Sequence, residues 1–164
     1  MTTTTAGRTG VTIFTTPTDL DVVFTRVVDA PRRIVFEAFT NPKHVPNWLV
    51  GPDGWTMPIC EIDLRPGGKW RYVYRKASGK EMTLQGLYRE VAPPDRLVYT
   101  DSWGPEWPET VNTMVLTESA GQTTITITMS YPSKAARDAA LETGATSGMD
   151  QSFAKLDVLL RTMQ

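Results

Sequence analysis

The chain has 164 residues, 40 % hydrophobic and 21 % charged, with 17 basic against 18 acidic side chains and a net charge of −1. A core of this size hides about 68–70 % of the unfolded surface without disulfide or metal staples, and one cysteine and one histidine could build neither an internal disulfide nor a histidine-rich zinc site. The balanced charge, with no basic stripe among aromatics, argues against nucleic acid as a partner, and no run approaches the ~18 apolar residues of a membrane span.

Residues 1–20, MTTTTAGRTGVTIFTTPTDL, have little to bury and lack the apolar region of a secretory signal. A flexible tail over 1–20, a single domain over 21–164 and a cytoplasmic location are therefore expected. DVVFTRVVD (21–29) is rich in β-branched residues and predicts a strand. In APRRIVFEAFTN, Pro31 suits the first turn of a helix, Ile34, Val35, Ala38 and Phe39 recur at helical spacing, and Asn41-Pro42 closes it. A second short helical turn is expected over 42–48.

Near residue 54 the period changes to 2. GKWRYVYRK puts Trp70, Tyr72 and Tyr74 on one strand face and Lys69, Arg71 and Arg75, with Val73, on the other. Further strands are expected over 81–91, 96–103, 109–118 and 123–131, separated by turn-forming clusters. In the last of these Ile125, Ile127, Met129 and Tyr131 alternate with threonines. Ser133 is a candidate N-cap for KAARDAALET, Gly144 a break, and Ser147 with Asp150 a capping box. Met149, Phe153, Leu156, Leu160 and Met163 then form one apolar stripe on a long terminal helix. A meander with one apolar face and a helix with one apolar stripe hide both by laying the helix across the concave side of the sheet. Space left between them would be walled by inward aromatics and methionines.

The segments RVVDAPRRIVFEAFTNPKHVPNW, GPDGW, CEIDLRPGGKWRYVYR and ALETGATSGMDQSFAKLDVLL, in this order, resemble the START-like superfamily of helix-grip proteins, also called SRPBCC. Within it the chain is similar to bacterial members named after the C-terminal domain of the activator of heat shock protein 90 ATPase. The resemblance runs from about Asp21 to the C-terminus. It implies an α+β helix-grip fold of the birch-pollen-allergen-like kind. A curved antiparallel sheet of about six or seven strands wraps a long C-terminal helix, with two short helices after the first strand and a deep cavity inside. Superfamily members bind sterols, lipids, polyketides and plant hormones there, and some cyclise polyketides. Three roles follow as expectations: binding of a small apolar or aromatic molecule, a cyclase-, aromatase- or hydrolase-like activity in the same cavity, or a co-chaperone contact of the stress-response kind. The eukaryotic activator's additional N-terminal domain has no expected counterpart before Asp21. Where many members carry two adjacent tryptophans before Gly-Pro, this chain has Trp48-Leu49-Val50-Gly51-Pro52, which implies a differently shaped cavity mouth. No cofactor or metal is expected, and either a monomer or a homodimer is compatible.

Candidate chemistry is sparse. His44 sits in a polar turn without a partner at triad spacing, which favours a capping or surface role. Cys60 has no nearby histidine to make a thiolate and reads as a small buried hydrophobe. Glu61 and Asp63 share a strand face and could handle protons with Arg65, Arg71 or a tyrosine, or could form ion pairs on the convex side. Arg65-Pro66-Gly67-Gly68 lacks the context of a phosphate loop and reads as a strand reversal. The expected cavity wall is therefore aromatic and apolar: Trp48, Trp55, Trp70, Tyr72, Tyr74 and Trp103 from loops and strands, Met114 and Leu116 from a central strand, and Met149 and Phe153 from the terminal helix.

Overall fold

The structure, a computed structural model, describes residues 9–164. Eight strands form one antiparallel sheet: β1 (Thr12–Thr15), β2 (Asp21–Val28), β3 (Trp55–Ile62), β4 (Lys69–Lys76), β5 (Glu81–Ala92), β6 (Arg96–Asp101), β7 (Thr110–Ser119) and β8 (Gln122–Ser130). Their order in space is β1-β2-β8-β7-β6-β5-β4-β3, so the meander β3 to β8 is extended at its far edge by the two N-terminal strands. Helix α1 (Arg32–Thr40) and a 3₁₀ turn (Val45–Asn47) follow β2, while α2 (Lys134–Glu142) and α3 (Ala145–Thr162) close the chain. This is the α+β helix-grip arrangement, with eight strands rather than six or seven. Among the described residues no helix is long and apolar enough to cross a membrane.

The eighth strand corrects the expected tail. Residues 1–8 lie outside the described residues, but Thr12–Thr15 pairs with β2, and Phe14 packs edge-on against Phe24 at 4.9 Å. Threonine is β-branched and suits a pleated surface, so Ile13 and Phe14 are enough to recruit their neighbours into the sheet.

Side-chain alternation aligns the inner face across the register. Phe24 pairs with Ile127, Ile127 with Met114, and Met114 with Leu97. Toward the other edge Trp70, Tyr72 and Tyr74 face Gly86, Leu84 and Met82. Bulges between Thr56 and Ile59 and between Tyr88 and Glu90 interrupt β3 and β5, and such insertions bend a strand and raise its twist. The PGG segment makes the expected reversal between β3 and β4. A Cβ on Gly68 would sit 1.9 Å from the Asp63 carbonyl oxygen, so only glycine lets the chain fold back that closely.

The Ser133 Oγ accepts the Ala136 N–H at 3.1 Å and caps α2, as the sequence predicts. Gly144, at φ 80°, breaks the path between α2 and α3. The expected capping box is not formed, because α3 already begins at Ala145. Ser147 lies inside the helix and Asp150 turns instead toward Arg26 at 3.5 Å. The stripe on α3 meets the sheet as expected, with Phe153, Leu156 and Leu160 buried in one cluster with Met114, Leu116 and Ile125.

Arg26 is the surprise of that interface. It projects from the inner face of β2, buried, and its guanidinium donates to Asp157 at 2.5 Å and to Thr12 at 2.6 Å. Its carbon centre lies 5.7 Å from the Phe153 ring centroid. One arginine thereby ties β1, β2 and α3 together.

Candidate functional site

Beyond Phe153 toward the start of α3, helix and sheet part. Ala136, Ala139 and Ala140 of α2, with Gly144 and Gly148, present too little side chain to reach the strands opposite. The gap is a cavity of about 540 Å³, within the roughly 300–1,000 Å³ of small-molecule sites. Its sheet wall is Trp70, Tyr72 and Tyr74 of β4, Leu84 and Tyr88 of β5, and Leu97, Tyr99 and Asp101 of β6. Two loops frame the mouth, one carrying Leu49, Val50 and Pro52, the other Trp103, Trp107 and Pro108.

The first loop is held from α3. The Gly51 N–H donates to Ser152 Oγ at 2.8 Å, and Lys155 Nζ donates to the Gly51 carbonyl at 2.7 Å. The second loop leaves Trp103 and Trp107 more than 40 % exposed, and the Trp103 ring lies 5.7 Å from that of Tyr74. Large aromatic surface therefore meets water at the mouth and continues inward along a packed row. Trp70 contacts Tyr72 at 4.6 Å and Tyr99 at 5.8 Å, and Tyr99 lies 6.4 Å from Tyr88.

Burial pushes the hydroxyls of Tyr72, Tyr74, Tyr88 and Tyr99 well above the ordinary phenol range, and that of Tyr131 up to about 12. All are neutral hydrogen-bonding groups at physiological pH. Asp101 is the one carboxylate of the lining among the described residues, and no lysine, arginine or histidine accompanies it there. Burial raises its pKa, while hydrogen bonds from the Thr110 hydroxyl and from Asn112 Nδ2, the latter at 2.9 Å, act in the opposite sense.

Of the residues expected at the wall, Trp55, Trp70, Tyr72, Tyr74, Trp103 and Met149 line the cavity. Trp48, Met114, Leu116 and Phe153 do not; they are fully buried in the packed part of the interface. Trp48 donates from Nε1 to the Ala38 carbonyl at 2.9 Å, with its ring 4.7 Å from Phe39 and stacked 6.3 Å from Phe153. Met114 and Leu116 point inward as expected and are buried in one cluster with Leu156 and Leu160, but neither reaches the cavity surface.

Of the two readings of Glu61 and Asp63, the structure agrees with the convex ion pairs. Glu61 pairs across the strands with the half-buried Arg71 at 2.8 Å, and Asp63 pairs with Arg65 at 2.9 Å; both carboxylates are exposed and none of the four lines the cavity. Cross-strand register explains it, since Cys60 and Ile62 oppose the inward Tyr72 and Trp70, which leaves Glu61 on the convex side. Burial, and then the Glu61 charge, pushes the Cys60 thiol up to about 11, so it is no thiolate. His44 sits apart from the cavity, 4.0 Å from Glu37.

Asp101, Asn112, Tyr88 and Tyr99 belong to the site and were not singled out from the sequence. The signal was present: in RLVYTD, Asp101 alternates with Leu97 and Tyr99, and in TVNTMVL, Asn112 alternates with Met114 and Leu116. Two polar residues thus stand in the inward phase of apolar strands.

The profile of the family described as activator of Hsp90 ATPase homolog 1-like protein matches residues 29–161. A crystal structure from Rhodobacter sphaeroides is similar at 26 % identity and a TM-score of 0.87, covering 94 % of this chain and 100 % of that one. One from Chromobacterium violaceum, 27 % identical, has a TM-score of 0.73 and covers 85 % and 96 %. The solution structure of an AHSA1-like protein from Aeromonas hydrophila, 16 % identical, shares the fold with a TM-score of 0.69 over 87 % and 95 %. No curated protein matches the sequence.

Proposed function

The chain belongs to the activator of Hsp90 ATPase homolog 1-like family, and we propose that within it this protein binds a small apolar or aromatic molecule in the cavity between sheet and α3. The observation that carries this reading is a cavity of about 540 Å³ with an aromatic row for one wall and small residues for the other. Small-molecule sites have this character: mostly apolar surface that supplies affinity, and a few convergent polar groups that set orientation. The tyrosine hydroxyls, Asn112 and Asp101 are those groups here. The exposed Trp103 and Trp107 at the mouth give an entering ligand its first apolar contact.

Thermal unfolding against a broad panel of lipophiles tests this. A ligand at a hundred times its Kd adds about 2.7 kcal/mol to stability, which for a chain of this size raises Tm by roughly 5–10 °C. At least one apolar or aromatic compound is expected to give such a shift. A panel without any shift, from protein that carries no small molecule after purification, overturns the proposal.

A further inference from the structure

The polar end of the cavity specifies more than an apolar ligand. Asp101 ends β6 facing inward, and both of its carboxylate oxygens are engaged, one by the Thr110 hydroxyl and the other by Asn112 Nδ2. Accepting from the Thr110 hydroxyl and the Asn112 amide favours the ionised form of the carboxylate, while burial opposes it. Among the described residues no basic side chain pairs with this carboxylate or lines the cavity; Arg71, Arg75 and Arg96 pair elsewhere, with Glu61, Glu81 and Glu90. Beside it Asn112 is buried with its Oδ1 unpartnered, an acceptor with no donor. Both orphan demands, a missing positive charge and a missing N–H donor, are met by one group.

The surroundings agree with a cation. Tyr74, Tyr99 and Tyr131 stand close enough to Asp101 for its charge to bear on their hydroxyls, and Trp70 meets Tyr99 edge-on in the same wall. Aromatic faces attract ammonium groups, most strongly where water is excluded. The rest of the lining is apolar and suits a hydrocarbon or aromatic body. We propose that the cavity takes a lipophilic amine, its ammonium group hydrogen-bonded to the Asp101 carboxylate and to Asn112 Oδ1 and its apolar body lying along the aromatic row. This deepens the ligand-binding reading above and rests on it.

Calorimetric titration of the intact protein with three probes of one shape separates the two claims: 1-naphthylmethylamine, 1-naphthylmethanol and 1-naphthoic acid at pH 7.5. The wild-type protein is expected to bind the amine at least roughly tenfold more tightly than the alcohol, and the acid weakest. Asp101→Asn is expected to bring the amine to within about threefold of the alcohol, by weakening the amine far more than the alcohol. The wild-type ranking decides the matter even should that variant fold poorly. Alcohol or acid binding as tightly as the amine overturns the amine assignment and leaves the cavity reading standing, as does a folded Asp101→Asn protein that keeps the preference. Failure of all three probes to bind overturns the amine assignment and counts against the cavity reading itself.

Discussion

The two ends of the helix–sheet interface use the same strands and the same helix, yet one is packed and the other is hollow. At the packed end the second half of α3 sends Phe153, Leu156 and Leu160 into Met114, Leu116 and Ile125, and Arg26 fastens the helix through Asp157. At the hollow end α2 and the start of α3 offer alanines and glycines opposite Trp70, Tyr72 and Tyr99. The sheet is richly apolar at both ends; side-chain size on the helices makes the difference. A dry, latched end holds helix and sheet at a fixed spacing, and the small residues at the other end leave that spacing unfilled.

That contrast can be broken from either side. Phe153→Ala removes a ring from the packed end and should cost about 3–5 kcal/mol, the range for large-to-small changes in a core, read from urea unfolding. Asp157→Ala should follow at about 3 kcal/mol, because a buried arginine losing its carboxylate is left uncompensated. Asp157 is part-exposed, and Thr12 and Asp150 remain within reach of Arg26, which puts the cost at the low end of that range. Pairing the change with Arg26→Met should recover part of the loss.

Ala140→Phe attempts the reverse, turning the hollow end into a packed one. It should change stability by less than ~1.5 kcal/mol, since the ring enters existing space, and should abolish binding of the naphthyl probes. Loss of stability without loss of binding would show that the cavity is not where the probes sit.

A gentler effect comes from Asp101. Its folded pKa is raised by burial, so the folded protein holds this proton more tightly than the unfolded chain. The stabilisation is present in full below the ordinary carboxylate value of about 3.9 and is lost as pH climbs from there through the raised folded value. The ligand-free protein should therefore lose some stability over that window. Asp101→Asn should lack that component, which is visible as a flatter Tm against pH.

Much of this was legible in the sequence. Alternation in GKWRYVYRK marks the aromatic wall, the spacing of Phe153, Leu156 and Leu160 marks the buried face of α3, and Ser133 marks the start of α2. Periodicity reports which way a side chain points but not how far the opposite layer stands. Met114, Leu116 and Phe153 were thus correctly inward yet assigned to a cavity wall, when the alanines of α2 decide where the wall opens. Glu61 and Asp63 share a face in any register, and only the pairing of Glu61 with Arg71 says that the face is convex. Arg26 and Asp101 escaped notice for the opposite reason: each is a charged residue in the inward phase of a strand, and single charges do not alter an apolar pattern enough to be read as buried.

Five indole N–H groups report on both ends at once. Trp48 belongs to the packed end, bonded to the Ala38 carbonyl, whereas Trp70 is buried at the cavity wall with its Nε1 unpartnered. Trp55, Trp103 and Trp107 line the cavity with it. A two-dimensional 15N–1H spectrum recorded through a titration with 1-naphthylmethylamine reads them separately. The account predicts that the indole signals of Trp70, Trp103 and Trp107 move to saturation while that of Trp48 stays in place. A titration that moves Trp48 as much as Trp70, or moves none of the five, contradicts it.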